Sequence, residues 1–284
     1  MGETRRHHYV PRCYLKYFSS DGRNINTFII GENKLPESIS MKGVCVHKDF
    51  YTLTETSIED GIYSNYIEKD YFEKQIEPQL DKTIRLFEGL KTKAIEVNQS
   101  IGYELPTLAK TVITKLIISQ YFRGPRTRKK VIDELLETHS EEEIKGMDIV
   151  KIHAARTFFN DELMDKLTHK LMSDYWIIRV HPNGDFYTSD NPVVVIDNNK
   201  LGRGIWEVKA DIGESNTAIF YPLTNEITVE IYDSMGFPEA IMSNNTVQFS
   251  NGDYTRTLNI YQYLNAERFV FSKEGKFDLF IREM

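Results

Sequence analysis

The spacing of the apolar residues changes character near Trp176, and that change limits the folds open to this chain. From about Ser57 to Met172 apolar side chains recur at three- and four-residue intervals, the spacing of one helix face. Ile76, Leu80, Ile84 and Phe87 form a first stripe. Leu108, Val112, Ile113, Leu116, Ile117 and Tyr121 form a second, after Leu105-Pro106. Ile152, Phe159, Leu163, Leu167 and Leu171 form a third. Pro78 requires the first helix to begin near Glu77 or to kink there. The second stops at Gly124-Pro125 and resumes through Val131–Leu136. After Trp176 the apolar runs become short and β-branched: Ile177–Val180, Asp185–Thr188, Val193–Ile196, Ala218–Tyr221, Ile227–Tyr232 and Phe277–Arg282. Turn signals such as Pro182-Asn183-Gly184, Gly202–Gly204 and Asn251-Gly252-Asp253 separate them, and a helix over about Thr257–Glu267 precedes the last. The N-terminal part adds a short helical segment within Tyr9–Phe18, a strand over Asn24–Ile30 and one or two more within Val44–Leu53. This order predicts an α+β fold, a helical middle packed on a mostly antiparallel sheet formed by N-terminal and C-terminal strands. With no repeat and no clear linker, residues 1–284 read as a single domain, helical over about 57–172 and strand-rich over about 176–284.

With 40% hydrophobic and 27% charged residues the chain falls among folded globular proteins rather than disordered ones. Its longest aliphatic runs are too short to cross a bilayer, and the start, Met-Gly-Glu-Thr-Arg-Arg-His-His, has no apolar leader segment. Cys13 and Cys45 are too few for a disulfide framework or a cysteine-built zinc site. The expectation is a cytoplasmic protein with no membrane partner. A net charge of −7 argues against general affinity for DNA, which phosphate neutralisation supplies. Between Thr107 and Lys130, however, lie seven bases and no acid. That local basic cluster suits an anionic partner, a nucleic acid or a nucleotide.

Three short polar clusters sit where structure alone does not ask for them. In His7-His8-Tyr9-Val10-Pro11-Arg12, adjacent histidines of an extended segment point to opposite sides, so at most one of the two faces any given pocket. Imidazole titrates near neutrality and serves as general acid, general base or metal ligand. In Gln120-Tyr121-Phe122-Arg123-Gly124-Pro125-Arg126, Gln120 follows Leu116 and Ile117 at helical spacing and projects from the buried face, with Arg123 beside it. A buried guanidinium needs partners, either acids and carbonyls of the protein or a substrate anion, which its planar fork grips at two points. In Thr188-Ser189-Asp190-Asn191-Pro192, Asp190 and Asn191 are good turn formers, and Asp190 also stands at a strand end where a metal ligand or orienting carboxylate is often found. Glu68, Glu73 and Glu77 are further acid candidates. Cys13, with apolar flanks, reads as a structural thiol, and His153, His169 and His181 as structural imidazoles.

Taken in order, His7-His8-Tyr9-Val10-Pro11-Arg12-x-Tyr14-Leu15, Gln120-x-x-Arg123-x-Pro125-Arg126 and Thr188-Ser189-Asp190-Asn191-Pro192 resemble the bacterial family catalogued as domain of unknown function 4238. Lys48-Asp49-Phe50-Tyr51, the Ile67-Glu68 and Ile76-Glu77 pairs and Pro222-Leu223 add to the likeness, which spans nearly the whole chain. Two positions depart from it, Cys13 where an aromatic is commoner and Gly124 where Thr is commoner. The resemblance marks His7, His8, Gln120, Arg123, Arg126, Asp190 and Asn191 as signature positions and implies no activity.

The functional expectation is a phosphodiester hydrolase, a nuclease used as a toxin or antiphage effector. His7 or His8 would be general acid/base, Arg123 and Arg126 would hold the phosphate with Arg12, Gln120 and Asn191 would orient substrate, and Asp190 would orient a histidine or bind Mg²⁺ or Mn²⁺. Two alternatives stand beside it. One is a non-enzymatic binding module in which the same residues form a structural polar network. The other is a hydrolase of a nucleotide or another small anion.

Overall fold

The structure is a computed structural model, and it describes residues 5–32, 36–54, 62–198 and 210–277. Strand β1 (Arg6–His8) leads through Pro11, the N-cap, into a one-turn helix α1 (Arg12–Leu15) that tightens into a 3₁₀ turn, Lys16–Phe18. Strands β2 (Asn24–Ile29), β3 (Glu37–Ser40) and β4 (Val46–Lys48) follow. A π-helix, Ile67–Ile76, then runs directly into α2 (Glu77–Val97). Strand β5 (Ile101–Gly102) precedes the helical middle: α3 (Thr107–Arg123), α4 (Pro125–Leu136), α5 (Glu141–Lys145), α6 (Ile149–Arg156) and α7 (Asp161–Ser173). The strand-rich part holds β6 (Tyr175–Val180), β7 (Thr188–Ser189), β8 (Val194–Asp197), β9 (Thr217–Thr224), β10 (Ile227–Tyr232) and β11 (Thr246–Phe249). Helix α8 (Gly252–Asn265) and strand β12 (Phe269–Ser272) complete it.

These strands make three sheets. A six-stranded sheet runs β5-β11-β6-β10-β9-β8, antiparallel except where β11 lies parallel to β6. A four-stranded antiparallel sheet, β3-β2-β12-β7, joins strands from both ends of the chain. The third is the two-stranded ribbon β1-β4. The fold is therefore α+β, and the expected joining of N- and C-terminal strands occurs in the four-stranded sheet.

Every residue of β9 is buried because both faces of the large sheet are covered. Ile219, Tyr221 and Leu223 enter the main core with Ile84 and Phe87 of α2, Ile117 of α3 and Leu171 of α7. Ala218 and Phe220, pointing the other way, pack under Leu258 and Tyr261 of α8. Helix α3 is buried on most of its circumference, which is why its sequence shows a broad apolar surface rather than a narrow stripe.

Several sequence expectations shift in the structure. Pro78 is the second residue of α2, immediately after the π-helix, so the chain changes helix type there rather than starting afresh. The third apolar stripe is two helices, separated at Thr157–Asn160, and Asn160 caps the second by accepting from the Leu163 N–H at 3.0 Å. Of Val44–Leu53 only Val46–Lys48 is strand, and of Asp185–Thr188 only Thr188. Gly202–Gly204, the start of the Ser57–Leu90 helix and most of Phe277–Arg282 lie outside the described residues.

Tyr14 of α1 ties the N-terminal segment to both larger sheets. Its buried hydroxyl donates to the Pro222 carbonyl of β9 at 2.6 Å and meets Thr188 Oγ1 of β7 at 2.7 Å, while its ring stacks on Tyr221. Tyr14→Phe keeps the ring and strands those two buried partners, a loss of about 1–3 kcal/mol. A melting temperature a few degrees lower is expected, and an unchanged one would show that the hydroxyl carries no stability.

Candidate functional site

The end of α3 is held by side chains rather than by a glycine cap. Thr127 donates to the Tyr121 carbonyl at 3.0 Å, the His153 Nε2–H to Phe122 at 3.0 Å and the Tyr51 hydroxyl to Arg123 at 2.6 Å. His153 thereby has a structural role, and burial with the adjacent Arg128 lowers its pKa to about 3. This fixes the last residue of the helix, Arg123, whose side chain is 1% exposed. Its guanidinium lies 3.9 Å above the Phe72 ring of the π-helix. Nη2 donates to Glu77 Oε1 at 2.9 Å and stands 3.7 Å from Glu68 Oε2, while Nε and Nη1 have no hydrogen-bond partner in the protein.

Both glutamates belong to the wall of an open pocket of about 370 Å³ lined by Arg6, His8, Arg12, Lys42, Glu68, Glu73 and Glu77. The π-helix explains how three acids reach one wall. Glu68 and Glu73 are five residues apart, and at 100° per residue an α-helix would separate them by about 140°. Hydrogen bonding from i to i+5 stacks them instead. Ile67 and Phe72, also five apart, are both buried, on the neighbouring face.

The charges of this pocket do not cancel. Glu77 is paired with Arg123, and Glu73 with Lys69 at 2.6 Å. Burial pushes the Glu68 carboxyl up to about 7, against the opposing pull of Arg123. Arg6, Arg12 and Lys42 have no acidic partner among the described residues; Arg6 donates instead to the Lys42 carbonyl at 2.8 Å. Burial, then Arg12 and Arg123, bring the His8 imidazole down to about 4. The usual order of the two groups is thus inverted, the histidine pKa lying below that of the glutamate. His8 Nδ1 has no hydrogen-bond partner in the protein.

The other signature residues are placed elsewhere. His7, opposite in direction to His8 along β1, is fully buried, and its Nδ1 accepts the Tyr51 N–H at 2.9 Å while the two rings stack. The His7 ring has no access to solvent and does not line the pocket that His8 lines. Gln120 is buried and donates to the Tyr9 carbonyl at 3.1 Å, behind the pocket rather than in it. Asp190 accepts backbone N–H groups from Glu267, Arg268 and Phe269, at 2.9, 2.8 and 3.2 Å. Both of its oxygens accept bonds that join α8 to β12, and Asp190 does not line the pocket of His8. Among the described residues no group of three or more His, Cys, Asp or Glu is arranged to hold a metal ion.

Asn191 and Asn265 lock together, Asn191 donating to the Asn265 carbonyl at 3.2 Å and Asn265 to the carbonyls of Asn191 and Val193 at 2.6 and 3.0 Å. Arg126 donates to Asn265 Oδ1 and O. Asn191 is thereby held inside this lattice, while Arg126, its side chain 41% exposed, also lines an open pocket with Lys130. Much of the basic cluster of residues 107–130 is bonded within the protein. Lys110 donates to the Met172 carbonyl, Arg128 to Phe50 and Lys130 to Asp211, and Arg123 is internal. Arg6 and Lys42 were not among the residues singled out by sequence. For Arg6 a signal existed, because a residue two before His8 in a strand shares its face; for Lys42 none did.

The architecture is thus that of an α+β protein with a charged pocket between an N-terminal ribbon and a π-helix. A family model described as "Protein of unknown function (DUF4238)" matches residues 6–276, and the chain belongs to that family. No curated protein and no solved structure matches it. No helix among the described residues is long and apolar enough to cross a membrane.

Because the Glu68 carboxyl binds its proton more tightly in the folded than in the unfolded chain, its contribution is full below about pH 4.5 and is lost as pH rises through about 7. Glu68→Gln, which keeps the shape without the charge, is expected to gain in melting temperature relative to wild type across that window. A difference that stays flat from pH 4.5 to 8 would remove the burial argument.

Proposed function

We propose that the pocket hydrolyses a phosphodiester, with a nuclease used in defence or as a toxin as the biological setting. The observation that carries the reading is the positive charge of Arg6, Arg12 and Lys42, without acidic partners among the described residues, around a pocket in which Glu73 and Glu77 are paired and Glu68 stands 3.7 Å from Arg123. Such a wall attracts an anion. Arg12 and Lys42, exposed and without acidic partners, would hold the non-bridging oxygens and stabilise the charge that develops on them.

The inverted pair supplies the proton transfers. Neutral His8 takes a proton from the attacking water as its oxygen bonds to phosphorus. The ester P–O bond breaks, and protonated Glu68 gives its proton to the departing oxygen, leaving a phosphomonoester and an alcohol. Arg123 touches no substrate in this scheme. It is a positioning residue, holding Glu77 and standing beside Glu68 on the far side of the wall.

The test is turnover of RNA, DNA and a chromogenic phosphodiester by wild type, His8→Ala, Glu68→Gln and Arg12→Ala, each with and without Mg²⁺ or Mn²⁺. Rates at least 100-fold lower for His8→Ala and Glu68→Gln are expected, with the wild-type alkaline limb falling near pH 7 as Glu68 loses its proton. Cleavage by the variants equal to wild type would reject the assignment.

A further inference from the structure

The ribbon that forms one wall of the pocket carries a charge that the pocket does not use up. In β1-β4 the residue directly across from Arg6 is Lys48, and Val46 lies across from His8. Partners across an antiparallel pair point to the same side, and residues two apart in a strand share a face. Arg6, His8, Val46 and Lys48 therefore stand on the pocket side. His47 pairs with His7 and packs against Tyr9 and Phe50 on the other face, so the pocket side offers charge rather than stacking. Arg6 and Lys48 are both exposed, and neither has an acidic partner among the described residues. Asp49, next to Lys48 in sequence, is held by Arg5 through bonds of 3.0 and 2.7 Å.

Like charges directly across a ribbon destabilise it, and here they occupy one of only three residue pairs. An acid at either position would relieve the repulsion, and so does an anion seated between the two cations. The Arg6 guanidinium is ordered in advance, with Nη2 on the Lys42 carbonyl at 2.8 Å. The pair is also displaced from the reacting centre, because two residues of strand advance about 6–7 Å from His8 to Arg6. A phosphate linked by an anhydride to the one under attack would share its place in the pocket. One linked through a sugar or a similar short carbon bridge lies a step further along. We propose that Arg6 and Lys48 form a seat for a second phosphate, one ester linkage from the phosphodiester held by Arg12 and Lys42. The substrate class is a diester bearing a further ester-linked phosphate, either the next link of an oligonucleotide or a terminal phosphate on a dinucleotide. The inference rests on the phosphodiester reading of the pocket, and its test reads binding rather than turnover.

Calorimetric titration with UpU, UpUpU, pUpU and UpUp reads the second seat directly. UpU has one phosphate, UpUpU adds a second diester, and the other two add a terminal monoester at either end. The wild type is expected to bind UpUpU or a terminally phosphorylated dinucleotide about tenfold more tightly than UpU. A gain for UpUpU supports the seat with an oligonucleotide as its source, and a gain confined to pUpU or UpUp supports it with a phosphorylated dinucleotide. Lys48→Gln should lose the gain and bind UpU as wild type does, while Lys48→Arg should keep it. Lys48→Glu, which sets opposite charges across the ribbon, should also lose the gain and melt no lower than wild type. Lys145→Glu, at an exposed base of α5, which packs on α4, is the control and should retain the gain. Equal wild-type affinity for all four ligands, an undiminished gain in Lys48→Gln, or hexaglutamate binding as tightly as UpUpU overturns the second seat. A gain that stands while none of the ligands is cleaved in the same samples overturns the hydrolase instead.

Discussion

A guanidinium with 1% exposure sets the arrangement around it. Removing Arg123 from water has a large free-energy cost unless counter-charges accompany it, and the chain supplies Glu77 at 2.9 Å and Glu68 at 3.7 Å. Those two acids come from the π-helix and the first residue of α2, so the ion pair dictates how closely these elements approach the end of α3. The Phe72 ring beneath the guanidinium and the Tyr51 hydroxyl on its carbonyl complete the mount. The pocket is the outer surface of this mount. Its acids are present because a buried cation requires them, and one of them, Glu68 at 3.7 Å, has its pKa raised by burial.

That dependence reconciles two ideas that the sequence leaves in competition. Most signature residues form structural polar networks: Asp190 bonds three backbone amides, Asn191 and Asn265 interlock, Gln120 holds the Tyr9 carbonyl and His7 supports Tyr51. Yet the networks end on a pocket with an unbalanced positive wall. The polar scaffold fixes β1, and β1 offers His8 and Arg6 to solvent while burying His7.

Much of the fold is legible in the sequence because it arises from local rules. Helical spacing locates α2, α3 and α7, and β-branched runs locate β6, β8, β9 and β10. The alternation of adjacent histidines foretells that one faces inward. The site was less legible, since proximity in space has no local signature. Asp190 in a turn looks the same in sequence whether it meets a metal or three amides. Arg123 reads equally well as a ligand for substrate or for Glu77. Lys42 becomes relevant only when β4 pairs with β1. The acid wall does leave a trace, at an interval other than the three and four of an α-helix: Ile67 and Phe72, like Glu68 and Glu73, recur at five.

That interval of five has an evolutionary reading. A π-helix bonds from i to i+5, so each of its turns holds about one residue more than a turn of α-helix. From Pro78 onward α2 keeps ordinary phase, so this wider winding turns only the preceding segment, the part that bears Glu68. A lineage that lost one codon here would rewind the segment and swing Glu68 off the acid wall, leaving the core contacts of α2 intact. Length variation between residues 67 and 76, more than substitution, is therefore the change to which this surface is most sensitive.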